Sequence, residues 1–208
     1  MKNFFFLIIT ILSFQPLSLA DNIQNFQIGG MKLGDSALDY FSESQLEDNE
    51  QGWHNYNYTE YSTSYMPSKD IYNWFLVSYK NDDNNFIIEG LVAGLEKNNY
   101  DHKECNNKLD ITALDISKSF KNTVQEEKKF YELTADAART YPFTGKSIVT
   151  SLSFNFLDGA KIILACYNMD KEAKENESFL TSILKQNDSF RIDARSSAFV
   201  NYLKKLNL

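Results

Sequence analysis

Residues 151–166, SLSFNFLDGAKIILAC, leave the chain few options. Leu152, Phe154 and Phe156 alternate with Ser151, Ser153 and Asn155, the period of a strand that turns one face to a core. Asp158-Gly159 is a two-residue type I′ turn signal, so the following apolar run returns antiparallel. Pairing Leu157 with Ala160 sets Phe154 opposite Ile163 and Leu152 opposite Ala165. Cys166 then falls opposite Ser151, on the other face with Ile162 and Leu164. In that register both faces carry apolar side chains, so something must cover the second one. The helix beginning near Lys108, with Cys105 just before it, is the candidate.

The other elements read as company for this hairpin. Trp74 to Tyr79 and Phe86 to Val92 form a second one across a five-residue polar loop, Asn81 to Asn85. Gly90 and Gly94 inside its return strand signal a bulge or a close backbone approach. Phe26-Gln27-Ile28 is a short edge strand ended by Gly29-Gly30, and residues 53–65 read as extended. Leu109, Ala113, Ile116 and Phe120 recur at spacings that place them on one helical face. Residues 130–147 do not decide between strand and loop. Phe179, Leu180, Ile183 and Leu184 share one side of a further helix. Phe190 to Ala194 is a short strand, and Ser196 or Ser197 caps a final helix with Phe199, Leu203 and Leu206. The expectation is a single α+β domain over residues 21–208, with antiparallel β-hairpins forming a sheet packed against three or four helices. The order hairpin, cysteine, helix recurs around 74–121 and 148–185, which raises a pseudo-duplicated arrangement without residue-level identity.

The beginning of the chain reads as an export signal. Lys2 precedes the uncharged run FFFLIITILSF, followed by Pro16 and Leu17-Ser18-Leu19-Ala20, the order of a signal peptide cleaved after Ala20. The apolar run is short for a bilayer span, and a periplasmic or secreted protein without stable membrane insertion is expected. The formal net charge of −7 disfavours phosphate backbones, so nucleic acid is not an expected partner. With 43% apolar and 14% aromatic residues the chain can bury a core. Two cysteines in an exported chain point to a disulfide between Cys105 and Cys166.

Several candidate chemistries lack parts. Gly34-Asp35-Ser36 resembles the opening of the GDSL esterase family, which would make Ser36 a nucleophile. That family's base is a histidine near the C-terminus, two residues beyond an Asp. The histidines here are His54 and His102, neither placed so, and Ala37 stands where the motif has Leu. A serine without a base is a weak nucleophile, so Ser36 is expected to cap a helix carrying Leu38 and Phe41 toward the core. Asp35, Asp39, Glu43 and Glu47 would line one solvated face of that helix. Thr144-Gly145-Lys146-Ser147 lacks the first glycine of a phosphate loop, since Thr140 stands there, and reads as a turn. His54, His102, Cys105 and Cys166 match no compact zinc spacing. No catalytic residue, metal or cofactor is expected.

The strongest binding feature is aromatic. Trp53, Tyr56, Tyr58, Tyr61 and Trp74 could form a stacking platform, since Tyr and Trp combine area with a polar tip. The expected function is a non-catalytic periplasmic module that binds a ligand or an envelope partner through that segment. The alternatives are a Ser36 esterase and a structural envelope accessory protein.

GMKLGDSALDYFSE (30–43), Cys105 before a helix, GKS (145–147), ACYNMD (165–170) and FRIDARSSAFVNYL (190–203) together resemble a group of small exported proteins of unknown function from marine alphaproteobacteria. The resemblance implies a shared fold and a periplasmic address, and carries over no catalytic residue.

Overall fold

The computed structural model describes residues 22–50, 60–96, 101–133, 147–169 and 188–206. Trp53, His54, Tyr56, Tyr58, the Thr144–Lys146 turn, the Phe179–Leu184 helix and the first twenty residues lie outside these ranges.

A single eight-stranded antiparallel sheet dominates the described residues, larger than the hairpin assembly expected. Its strands are β3 (Tyr61–Pro67), β4 (Trp74–Lys80), β5 (Gly90–Glu96), β6 (Val124–Gln125), β7 (Lys129–Leu133), β8 (Ser147–Asn155), β9 (Lys161–Asn168) and β10 (Ser189–Arg195). They lie in the order β3-β4-β5-β10-β9-β8, with β6 and β7 sharing the far edge of β8. The two hairpins are therefore not independent layers. The late strand β10 inserts between them, pairing residue by residue with β5 on one side and β9 on the other. A separate two-stranded ribbon joins β1 (Gln27–Ile28) to β2 (Met31–Lys32). Its turn, Gly29-Gly30, has φ of 61° and 86°, as a type I′ turn requires.

The register of the β8–β9 hairpin differs by one from the sequence expectation, and the turn explains why. Gly159 N–H donates to the Phe156 carbonyl at 3.0 Å, and Phe156 N–H donates to the Ala160 carbonyl at 2.9 Å. With Gly159 at φ 90°, the loop has three residues, a turn closed by a left-handed glycine. Leu152 accordingly faces Leu164, Phe154 faces Ile162 and Thr150 faces Cys166. A one-residue slip moves a strand's whole side-chain set to the other face. The shift gathers Leu152, Phe154, Ile162, Leu164 and Cys166 into one core, and leaves Leu157 86% exposed at the loop tip. The other hairpin departs in a similar way. β4 and β5 are joined by residues 81–89, and Ile87 bridges to Ser36 instead of extending β5.

The core lies on one face of the sheet. The helix α2 (His102–Ser119) crosses it, burying Cys105, Leu109, Ala113 and Ile116, an apolar stripe of helical period. Asp101 caps it by accepting from Lys103 N–H at 3.0 Å, and Cys105 in its first turn is bonded to Cys166 of β9, with Cα atoms 5.9 Å apart. The N-terminal segment covers the rest of this face with Ile23, Ile28, Met31, Leu33 and Leu46. Where one helix through Ser36 was expected, the chain makes a single 3-10 turn, Ala37–Asp39, and then α1 (Glu43–Asp48). Ser42 opens α1 with a reciprocal capping box to Gln45. Phe41 packs against the core while Leu38 is 40% exposed. The break also separates Asp35 and Asp39 from Glu43 and Glu47, so they form no continuous acidic stripe.

The last helix, α3 (Ser197–Lys205), is capped by Ser196, whose hydroxyl accepts from Phe199 N–H at 3.0 Å. It crosses to the other face of the sheet and packs Phe199, Tyr202 and Leu203 with Tyr61 at one end. Gly90 makes this possible, because a Cβ there would lie 2.6 Å from the Phe199 ring.

Candidate functional site

Alternation puts a second set of side chains on the sheet face opposite α2. Arg191, Asp193 and Arg195 of β10 lie in register with Ala165, Ile163 and Lys161 of β9, and with Gly94, Val92 and Gly90 of β5. These strands and the α3 side chains Phe199 and Leu203 bound a cleft of about 490 Å³, within the usual range for small-molecule sites. Leu76, Val92, Ile163 and Ala165 supply apolar surface, and Tyr131, Ser151 and Ser153 supply hydroxyls. Four cations, Lys129, Lys161, Arg191 and Arg195, line it beside two acids, Glu126 and Asp193. The cleft is therefore locally positive in a chain of net charge −7.

Part of that charge is internally matched. Arg195 Nε donates to both Asp193 carboxylate oxygens, at 2.9 and 3.0 Å. Glu126 accepts from Asn155 at 2.8 Å, Lys129 at 3.1 Å and Lys161 at 3.4 Å. The Asn155 amide and the two lysines hold its carboxyl well below the usual range, at about 2. A depressed carboxyl stabilises the fold above its unfolded value, 4.5, and the contribution is lost as pH falls toward 2. The Glu126 side chain is 31% exposed, so solvent screening keeps the effect near ~1 kcal/mol. Urea titrations at pH 6 and pH 3 should show a Glu126→Gln chain losing less stability on acidification than the wild type. Equal losses would remove Glu126 from the acid response.

Arg191 is different. Its Nε donates to Ser189 Oγ at 3.1 Å. Its guanidinium carbon lies 3.8 Å from the Tyr167 ring centre and 5.4 Å from that of Trp74, contacts that fix the plane of the guanidinium. Neither terminal nitrogen has a hydrogen-bond or ion-pair partner among the described residues.

Of the expected aromatic platform, the described members are Tyr61 and Trp74, and both are interior. Trp74 is 1% exposed, lying over Gly94 with its indole N–H donated to Glu96 at 2.7 Å. Tyr61 is 4% exposed, in contact with Phe199 and Tyr202, and burial pushes its phenol up to about 12. The two glycines of β5 open the space that lets these neighbourhoods bury large rings, so neither ring presents a flat stacking surface.

Ser36 sits elsewhere, against the 81–89 loop. Its hydroxyl donates to the Asn85 carbonyl at 2.6 Å and accepts from Leu38 N–H at 3.2 Å. Asp35 accepts from the Tyr40 hydroxyl at 2.6 Å, which pushes that phenol up to about 12. Cys105 and Cys166 are consumed by their mutual bond, so neither thiol is left for a zinc set with His102.

No protein-family model, curated protein or solved structure matches this chain. The cleft must be read from its own chemistry. FRIDAR carried the signal in the sequence: charges at every second position of a strand are side chains on one sheet face. Lys161, Ile163 and Tyr167 repeat the pattern on β9.

Proposed function

We propose that this chain is an exported, non-catalytic binding protein that holds a small amphiphile in the cleft on the open face of its sheet. The observation that carries the reading is a surplus of cations on β7, β9 and β10 set beside apolar side chains of β4, β5 and β9. A cleft of this size suits a small molecule, whereas a stable protein partner needs about 800 Å² of surface on each side. Export is supported by the buried Cys105–Cys166 bond, since such bonds persist in oxidising compartments. No helix among the described residues is long and apolar enough to cross a membrane. Ser36 lends no support to an esterase, because its hydroxyl is committed to the Asn85 carbonyl.

The test uses Trp74, whose ring adjoins Arg191, as a reporter. A Trp53→Phe chain retains Trp74 as its one tryptophan. Titration with decanoate, decanol, decylammonium and neutral oligosaccharides should give a saturable emission change with at least one ten-carbon amphiphile, accompanied by a rise in melting temperature. A flat response and an unmoved melting temperature with every amphiphile would refute the reading.

A further inference from the structure

We propose that Arg191 is the head-group site of the cleft and that it selects a carboxylate on an apolar tail. This rests on the cleft reading above and specifies its ligand. The other cations all have a carboxylate partner, Arg195 in Asp193 and the two lysines in a shared Glu126. Among the described residues Arg191 keeps two terminal nitrogens without partners, on a plane already held by Tyr167, Trp74 and Ser189.

A guanidinium edge of this kind presents two parallel N–H donors, the geometry that a carboxylate accepts in bidentate fashion. Preorganisation matters here, because little side-chain freedom remains to be lost on binding. Tyr131 lines the same cleft, with Ser151 and Tyr167.

Beyond the head group the surface turns apolar toward α3. Val92 and Leu76 lie one register row from Arg191, and Gly90 one row further. Phe199 closes the path over Gly90, with Leu203 also lining the cleft. The Arg195 row lies four residues along the strand from the Arg191 row, a rise of about 13 Å. A medium-length acyl chain or a compact aryl body lying along this path would bury its apolar surface against Val92, Leu76 and Phe199.

The experiment compares four ten-carbon probes by calorimetry: decanoate, decanol, decylammonium and decyl phosphate, each below its aggregation concentration. Decanoate should bind tightest, with decanol and decylammonium weaker by about 30-fold, the usual scale for losing one partner of a desolvated charge pair. Arg191→Met, which keeps the apolar stem, should lose about 30-fold for decanoate and little for decanol. Arg191→Lys should restore only part, because a point charge lacks the planar fork. If Arg191→Met does not fold, the wild type still decides: its decanoate affinity should fall as the ligand's own carboxyl is protonated, with decanol unaffected. Equal binding of decanol and decanoate, tighter binding of decyl phosphate, or an unchanged Arg191→Met affinity would overturn the assignment while leaving the cleft reading intact. Failure of all four probes to bind would refute the cleft reading itself.

Discussion

Replacing both bonded cysteines, as Cys105→Ala/Cys166→Ala, should lower the unfolding free energy by about 4 kcal/mol. The bond spans 61 residues, so without it the unfolded chain regains the freedom of a long loop. That loop holds most of α2, all of β6, β7 and β8, and the first part of β9, so the bond fixes a helix across the sheet it must cover. Both cysteines are almost wholly buried, and native protein should resist reductant until it opens. Urea unfolding with and without reductant gives the measurement, with the midpoint shifted and the slope read for any change in the unfolded state. A loss under about 1 kcal/mol would mean that the loop is already constrained without the bond.

Gly94→Ala should cost about 3 kcal/mol, far more than one added methyl group ordinarily does. A Cβ at this position would lie 2.2 Å from the Trp74 ring carbons. Trp74 has nowhere to go. Its ring is buried, its N–H is bonded to Glu96, and Arg191 stands beside it. Overpacking alone costs about 1–3 kcal/mol, and displacing the indole from a carboxylate acceptor adds about 1.5–3 kcal/mol at most. In a Trp74→Leu background the same change should cost under about 1 kcal/mol, because the two effects share one site. Equal costs in both backgrounds would show that the glycine matters for its backbone and not for the space it leaves.

The sequence made the local elements legible where one residue pattern determined one outcome. The stripe of Leu109, Ala113 and Ile116 specifies α2, Ser196 caps α3, and the two cysteines identify each other. Gly90 and Gly94 announced close approach, and Phe199 and Trp74 are what approach them. The hairpin turn was harder. Asp158-Gly159 fits either a two-residue loop or a three-residue loop, and only packing chooses. The three-residue form wins because it brings Ile162, Leu164 and Cys166 of β9 onto the core side with Leu152 and Phe154.

The cleft was less legible because no contiguous segment encodes it. Its residues come from β3, β4, β5, β7, β8, β9, β10 and α3, brought together only when β10 enters between the two hairpins. The tyrosine-rich stretch drew attention to aromatic area, yet Tyr61 and Trp74 spend that area in packing. What distinguishes the opposite sheet face is a guanidinium held between rings with donors to spare, a feature created by tertiary structure alone.

The most direct test of ligand binding on the open face is an amide chemical-shift titration of the full chain with decanoate. Shifts should concentrate on Arg191, Val92, Ile163 and Tyr167 and extend to Phe199, with the amides of α2 on the opposite face unmoved. Perturbations centred on α2 or on the Ser36 region, with the β10 amides unchanged, would contradict the assignment of the site.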